Sequence, residues 1–161
     1  MYVYYVLDPC NCTLYTHNIC TYFPDDEVGF LEYLRSHPNR FRPSDIIERN
    51  QWLRYINGEE AIDAKGTKKK DHCRLTYYND NGVLKTKGGD KEVVCDTEVA
   101  VYIQRCHEKI SHAGIQATFK EVQSRYYGIV RKEVQRLLSH CRICHKTAAS
   151  RARGPLESIV Q

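Results

Sequence analysis

Apolar residues change their spacing several times along the chain, and each change marks an element. The opening stretch, MYVYYVLDPCNCTLYTHNIC, is rich in Tyr, Val and Leu and is broken at Asp8-Pro9, a pattern that predicts two short strands joined by a turn. In PDDEVGFLEYLRSH the spacing becomes helical: Val28, Leu31 and Leu34 share a face, and Pro24, Asp25, Asp26 and Glu27 suit a first turn. Pro38 and Pro43 interrupt it. From Ser44, read as an N-cap, Ile46, Ile47, Trp52, Leu53 and Ile56 recur at near-helical spacing until Asn57-Gly58 stops the run. DAKGTKKKDH has no apolar period and reads as an exposed loop.

A shorter period follows. CRLTYYNDNGVLKTKGGDKEVVC predicts three antiparallel strands, Leu75–Tyr78, Val83–Lys87 and Lys91–Cys95, with turns at Asn81-Gly82 and Gly88-Gly89. Three such strands need a packing partner. From Asp96 the spacing is helical again. Val99, Tyr102, Ile103 and Cys106 share one side, which puts His107 near a helix end; IQATFKEVQSRYY, with Ile115, Phe119 and Val122 inward, predicts a second helix. Gly128 punctuates, and VRKEVQRLLSHC predicts a third, with Val130, Val134, Leu137 and Leu138 inward.

Composition narrows the class. With 161 residues, 42% apolar and 27% charged, the chain is expected to be soluble and folded, as one domain or a domain with an appendage. Its longest apolar run, YVYYVL, is far below the roughly 20 residues of a membrane span and lacks the features of a secretory signal. Eight cysteines without such a signal are expected to be reduced thiols, some of them metal ligands, which points to cytosol or nucleus. The net charge of +4 is unevenly spread: residues 1–100 carry 13 Lys+Arg against 16 Asp+Glu, residues 101–155 carry 11 against 3. The basic part suits a polyanionic partner, or a merely solvated basic face.

That basic part also holds the candidate chemistry. His107 and His112 lie five positions apart, and Cys141 and Cys144 form a Cys-x-x-Cys pair. Two imidazoles and two thiolates suit a tetrahedral Zn²⁺, and four protein ligands would make the site structural, with no position open for catalysis. Cys-x-x-Cys is also a redox spacing, but a low-pKa thiol belongs at a helix N-terminus, whereas Cys141 and Cys144 follow the end of a helix. Cys106, His140 and His145 each adjoin a proposed ligand and are alternative members. Cys10, Cys12, His17 and Cys20 are a weaker candidate for a second zinc, with buried thiols of a strand pair as the alternative.

At this point the segment CHEKISHAGIQATFKEVQSRYYGIVRKEVQRLLSHCRICHKTAASRARGPLESI resembles the His-His-Cys-Cys zinc-binding domain of retroviral and gypsy-type retrotransposon integrases. The shared features are the histidine pair with His112-Ala113-Gly114, Thr118 in the next helix, the aromatic pair Tyr126-Tyr127, and Cys141-x-x-Cys144. The strand-rich stretch before it looks like the extension that gypsy-type integrases place ahead of the first His. Where those proteins commonly have Trp-Pro after the tyrosines this chain has Gly128-Ile129, so a different turn into the third helix is expected. RARGPLESI resembles the linker that precedes the integrase catalytic core, and no acid of this chain matches the family's catalytic carboxylates. Residues 1–72 have no counterpart in the retroelement pattern, as expected of a host protein that has captured such a domain; an element-encoded polyprotein is the ordinary alternative.

The expected fold is therefore α+β: a mixed N-terminal region (1–72), a small antiparallel β unit (73–95), a zinc-stabilised three-helix bundle of helix-turn-helix proportions (96–147) and a basic tail (148–161). The expected function is zinc-dependent DNA binding in the nucleus, as part of a retroelement-derived transcription or chromatin regulator or of an integrase, with no enzyme activity in this chain. Lys120, Arg125, Arg131, Lys132, Gln135, Arg136, Arg151 and Arg153 are the candidate DNA contacts, phosphate contact being the safer role and solvated charge the alternative for each. The second reading is a protein-interaction module, self-associating through the zinc domain or through the tyrosines of the first segment, Tyr2, Tyr4, Tyr5, Tyr15 and Tyr22.

Overall fold

The computed structural model describes residues 27–59 and 64–146. The strand pair expected in the first twenty residues, its tyrosines, the Cys10/Cys12/His17/Cys20 group, and Arg151 and Arg153 lie outside the described residues. Within them the architecture is α+β: helices α1 (Glu27–Ser36), α2 (Ile46–Asn57) and α3 (Ala64–Thr76), strands β1 (Tyr77–Asp80), β2 (Val83–Thr86) and β3 (Glu92–Val93), helices α4 (Val99–Lys109) and α5 (Ile115–Arg125), strand β4 (Tyr126–Tyr127) and helix α6 (Arg131–Leu138). None of the described helices is long and apolar enough to cross a membrane.

The N-terminal helices depart from expectation in detail. On α1 the buried pair is Phe30 and Leu34, one turn apart, with Leu31 only partly covered. Asp45, not Ser44, caps α2, its carboxylate accepting from the Glu48 amide at 2.8 Å, while Ser44 donates to the Glu48 carboxylate. Trp52 and Tyr55 are buried, but Ile46 and Ile47 face solvent. The stretch expected to be a loop is helix α3. Lysine is a good helix former, so a helix without an apolar stripe persists where a few tertiary contacts hold it. Here Cys73 is fully buried, Lys69 pairs with Glu48 and sits 5.3 Å over the Trp52 ring, and Arg74 donates to the Tyr55 carbonyl at 3.0 Å.

The expected antiparallel unit forms, and a fourth strand joins it. β1 and β2 pair from Tyr77↔Thr86 to Asp80↔Val83, around a turn in which Asn81 (φ 50°) and Gly82 (φ 91°) take the left-handed conformation of a two-residue hairpin. β1 begins at Tyr77 because Leu75 and Thr76 complete α3. β3 continues the sheet, and β4 pairs parallel to it, Glu92↔Tyr126 and Val93↔Tyr127, so the sheet is mixed. Tyr126 and Tyr127 thus form a strand rather than the end of the helix before them. Successive strand residues face opposite sides. Accordingly, Tyr126 packs on Tyr102 of α4 (ring centroids 4.5 Å apart) and Tyr127 on Tyr77 (6.1 Å) and Phe41 (6.4 Å).

The two tyrosines therefore join two cores. One, around Trp52, Tyr55, Cys73, Tyr77, Leu84 and Val93, lies between α2, α3 and the sheet. The other gathers Val99, Ile103 and Cys106 of α4, Val122 of α5, and Val134, Leu137 and Leu138 of α6, and Phe30 and Leu34 of α1 close it. Val130, expected inward, is 44% exposed, and α6 proper runs only from Arg131 to Leu138.

A buried ion cluster fixes the loop between α1 and α2 to the start of α6. Arg42 donates through Nη1 and Nη2 to the two Glu133 carboxylate oxygens at 2.8 and 2.7 Å, through Nε to Asp96, and through Nη1 to the Gly128 carbonyl at 2.8 Å. Burial opposes the charge on Arg42, but Glu133 and Asp96 outweigh it and hold the guanidinium pKa above its ordinary value. Glu133, held by two bonds, is the principal partner; for Asp96 burial outweighs Arg42 and the carboxyl titrates above its usual range. Gly128, in the position that departs from the retroelement pattern, has φ 88°; a Cβ there would also come within 3.4 Å of the Arg42 side chain.

Candidate metal centre

Three local structures bring the ligands together. His107 lies in the last turn of α4, one position after Cys106, so the cysteine turns into the core while His107, itself 1% exposed, faces the site. The loop to α5 reverses sharply: Ser111 (φ 54°) and His112 (φ 58°) are both left-handed, a conformation that costs non-glycine residues about 1 kcal/mol or more each and that persists where surrounding contacts impose it. After α6, Cys141 precedes a short helical stretch, residues 142–146, whose first turn carries Cys144. The cysteines thus follow one helix, as expected, and also open another; the His145 amide donates to the Cys141 carbonyl at 3.1 Å.

The four donor atoms lie within 4.8 Å of one another, and both Cys141 and His107 are buried. His107 Nε2 is 3.3 Å from Cys144 Sγ, and His112 Nδ1 is 3.4 Å from Cys141 Sγ. A tetrahedron with Zn–N of about 2.05 Å and Zn–S of about 2.3 Å has N···S edges of about 3.6 Å and an S···S edge of about 3.8 Å, so these two pairs shift by only a few tenths of an ångström and the set as a whole closes by about 1 Å. The His rings stand nearly perpendicular, at 85° with centroids 4.6 Å apart, which points two different nitrogens at one centre. The donor set fits one Zn²⁺, and the protein binds it through His107, His112, Cys141 and Cys144.

Support continues behind the ligands. His107 Nδ1 is 3.0 Å from Thr118 Oγ1, and the Thr118 hydroxyl lies 3.1 and 3.2 Å from the Ala113 and Gly114 carbonyls. With those carbonyls accepting the hydroxyl proton, Thr118 accepts the Nδ1 proton and leaves the Nε2 lone pair for metal. Burial, then His112, holds the His107 pKa below its ordinary value, which favours the neutral, ligating imidazole. Burial and the Cys141 thiol push Cys144 up to about 11, a direction that a divalent cation reverses by binding thiolate.

Two of the alternative members, Cys106 and His145, are engaged elsewhere, and His140 is not among the four clustered donors. Cys106 belongs to the apolar core, and His145 contacts the Ser139 carbonyl. Among the described residues no other group of three or more His, Cys, Asp and Glu donors comes together.

Of the charged candidates, Lys120, Arg125, Arg131, Lys132, Gln135 and Arg136 are all exposed, but not equivalently. Arg125 is paired with Glu121 at 3.0 Å, and Lys109 shares that carboxylate. Arg131, Lys132, Gln135 and Arg136 occupy the outer face of α6, opposite Val134, Leu137 and Leu138. The sequence reading passed over Arg42 and Glu133. The capping position of Glu133, which accepts from the Val130 amide at 3.0 Å, was the available signal for one of them.

Residues 96–150, 55 of the 161, match the integrase zinc binding domain family. The matched region contains the four ligands and α4 to α6, and it includes no catalytic core. No curated protein and no solved structure matches the chain.

Proposed function

We propose, taking the integrase-type zinc domain as premise, that this protein binds duplex DNA in the nucleus, with α6 as the principal reading helix, and that it does so without catalysing a reaction on its own. In this reading α4, α5 and α6 are a zinc-locked three-helix bundle, α5 and α6 stand in helix-turn-helix relation, and the parent is a retroelement-derived regulator or integrase.

One observation carries the reading: α6 contains a single acid, Glu133, and that acid is buried against Arg42, so the face bearing Arg131, Lys132, Gln135 and Arg136 has three cations and no anion. Arginine offers a fork for guanine or phosphate and glutamine an amide for adenine. Zinc holds the far end of α6 through Cys141, which ties the orientation of that face to the metal.

The test is a titration of zinc-loaded protein against duplex DNA at about 50 and 200 mM salt. Three or four phosphate contacts weaken binding by about 40- to 150-fold over that interval. Cys141→Ser/Cys144→Ser abolishes it. A zinc-loaded protein that ignores DNA at the lower salt refutes the reading. A second reading, protein assembly, draws on Ile47 and Leu75, each 78% exposed. It predicts salt-insensitive self-association instead.

A further inference from the structure

The N-terminal region has no counterpart in the matched domain, yet its contacts place one stretch of it beside the basic face of α6. Asn39 Nδ2 donates to the Gly128 carbonyl at 2.6 Å and Arg42 Nη1 donates to the same oxygen at 2.8 Å. Arg40 lies between these two anchors, in a turn further closed by the Phe41 amide donating to the Asn39 side chain at 2.9 Å, and it is exposed. Gly128 is three residues before Arg131, so connectivity alone keeps the Arg40 and Arg131 Cα atoms within about 20 Å, and two extended arginine side chains close much of that. One turn further along α6, Arg136 stands 5.7 Å from the Tyr33 ring, and His37 stacks on the same ring at 4.4 Å.

The charges around this junction have one sign. The stretch from Tyr33 to Ser44 contains no acid, and residues 126–146 contain only Glu133. Asp96, the other nearby carboxylate, is held by Arg42. α1 carries two acids, Glu27 and Glu32, and one basic residue, Arg35. Successive residues of a helix are 100° apart, so Arg35 projects about 160° away from Tyr33, the residue that faces α6.

We infer that Arg40, on the turn between α1 and α2, is a phosphate contact that extends the basic face of α6 into the N-terminal region, so that duplex DNA is held by two segments more than 85 residues apart in sequence. The inference rests on the DNA-binding reading of α6. A major groove about 12 Å wide receives a helix and leaves phosphates on its rim. Arg40 stands on that rim beside the N-terminal end of α6, in a turn already rigid before DNA arrives. The bound duplex thus requires Asn39 and Arg42, which touch no DNA, to hold Arg40 in place.

The experiment compares zinc-loaded full-length wild type, Arg40→Ala, Arg40→Lys, Arg35→Ala and Arg131→Ala/Lys132→Ala against one duplex across a salt series, with zinc content and circular dichroism checked for each. One phosphate contact contributes about 0.9 to the slope of log K against log salt, which is about eightfold in affinity at 0.1 M. Arg40→Ala is expected to lose that slope and that affinity, Arg40→Lys to retain most of both, and Arg35→Ala to match wild type. If Arg131→Ala/Lys132→Ala weakens binding while Arg40→Ala matches Arg35→Ala, the inference fails and the α6 reading stands. Absence of wild-type binding overturns both.

Discussion

Replacing Arg42 with methionine tests the ion cluster most directly. Methionine fills most of the space of the arginine stem but leaves the Glu133 carboxylate, 4% exposed, without a counter-charge, and removes one of the two donors to the Gly128 carbonyl. Breaking a buried pair by removing one partner costs about 3–5 kcal/mol, mostly the penalty of the charge left behind. At a urea slope of about 2 kcal/mol/M, the unfolding midpoint of the zinc-loaded protein falls by about 2 M. Glu133→Gln is expected to cost less, because Asp96 still faces Arg42. The double variant no longer holds an unpaired Glu133 charge, so its loss is smaller than the sum of the single losses by about 1–3 kcal/mol. A midpoint shift under about 0.5 M for Arg42→Met, or strict additivity in the cycle, would refute the reasoning.

Thr118→Val keeps the shape of the buried threonine and removes the acceptor for His107 Nδ1. Zinc affinity, measured by competition with a chromophoric chelator, is expected to fall about 10- to 100-fold with the helical content of the zinc-loaded protein unchanged. In the zinc-free protein, the lowered pKa of buried His107 means that the unfolded chain binds the extra proton first. The contribution of His107 is then flat above about pH 6.5 and decreases as pH falls below it, and His107→Gln, read by urea midpoints at pH 7.5 and 5.5, removes that part of the decrease.

The zinc centre was legible because metal ligation demands particular side chains at short, repeatable spacings, and His107, His112, Cys141 and Cys144 carry that information locally. Helices α4 to α6 were legible for a similar reason, since their apolar faces repeat at helical spacing. Helix α3 was not: its stability comes from Lys69, Cys73 and Arg74 reaching α2 and the sheet, and its lysines hide any apolar stripe. The strand at Tyr126-Tyr127 was absorbed into the helix before it because its partner, β3, lies more than thirty residues away. The Arg42–Glu133 pair joins positions 91 residues apart, and no local pattern announces a contact of that span.

The seat of α1 in the second core has a consequence for how the chain is made. Phe30 and Leu34 leave the ribosome about a hundred residues before Leu137 and Leu138, which complete their surroundings. At roughly 5–20 residues per second, the apolar face of α1 waits on the order of 5–20 s for a partner. During that interval it is a ready substrate for a holdase or for the same helix of a neighbouring nascent chain. The metal site is thus expected to close only after α6 and Cys144 have been made, when the core around Phe30 and Leu34 and the four ligands can come together.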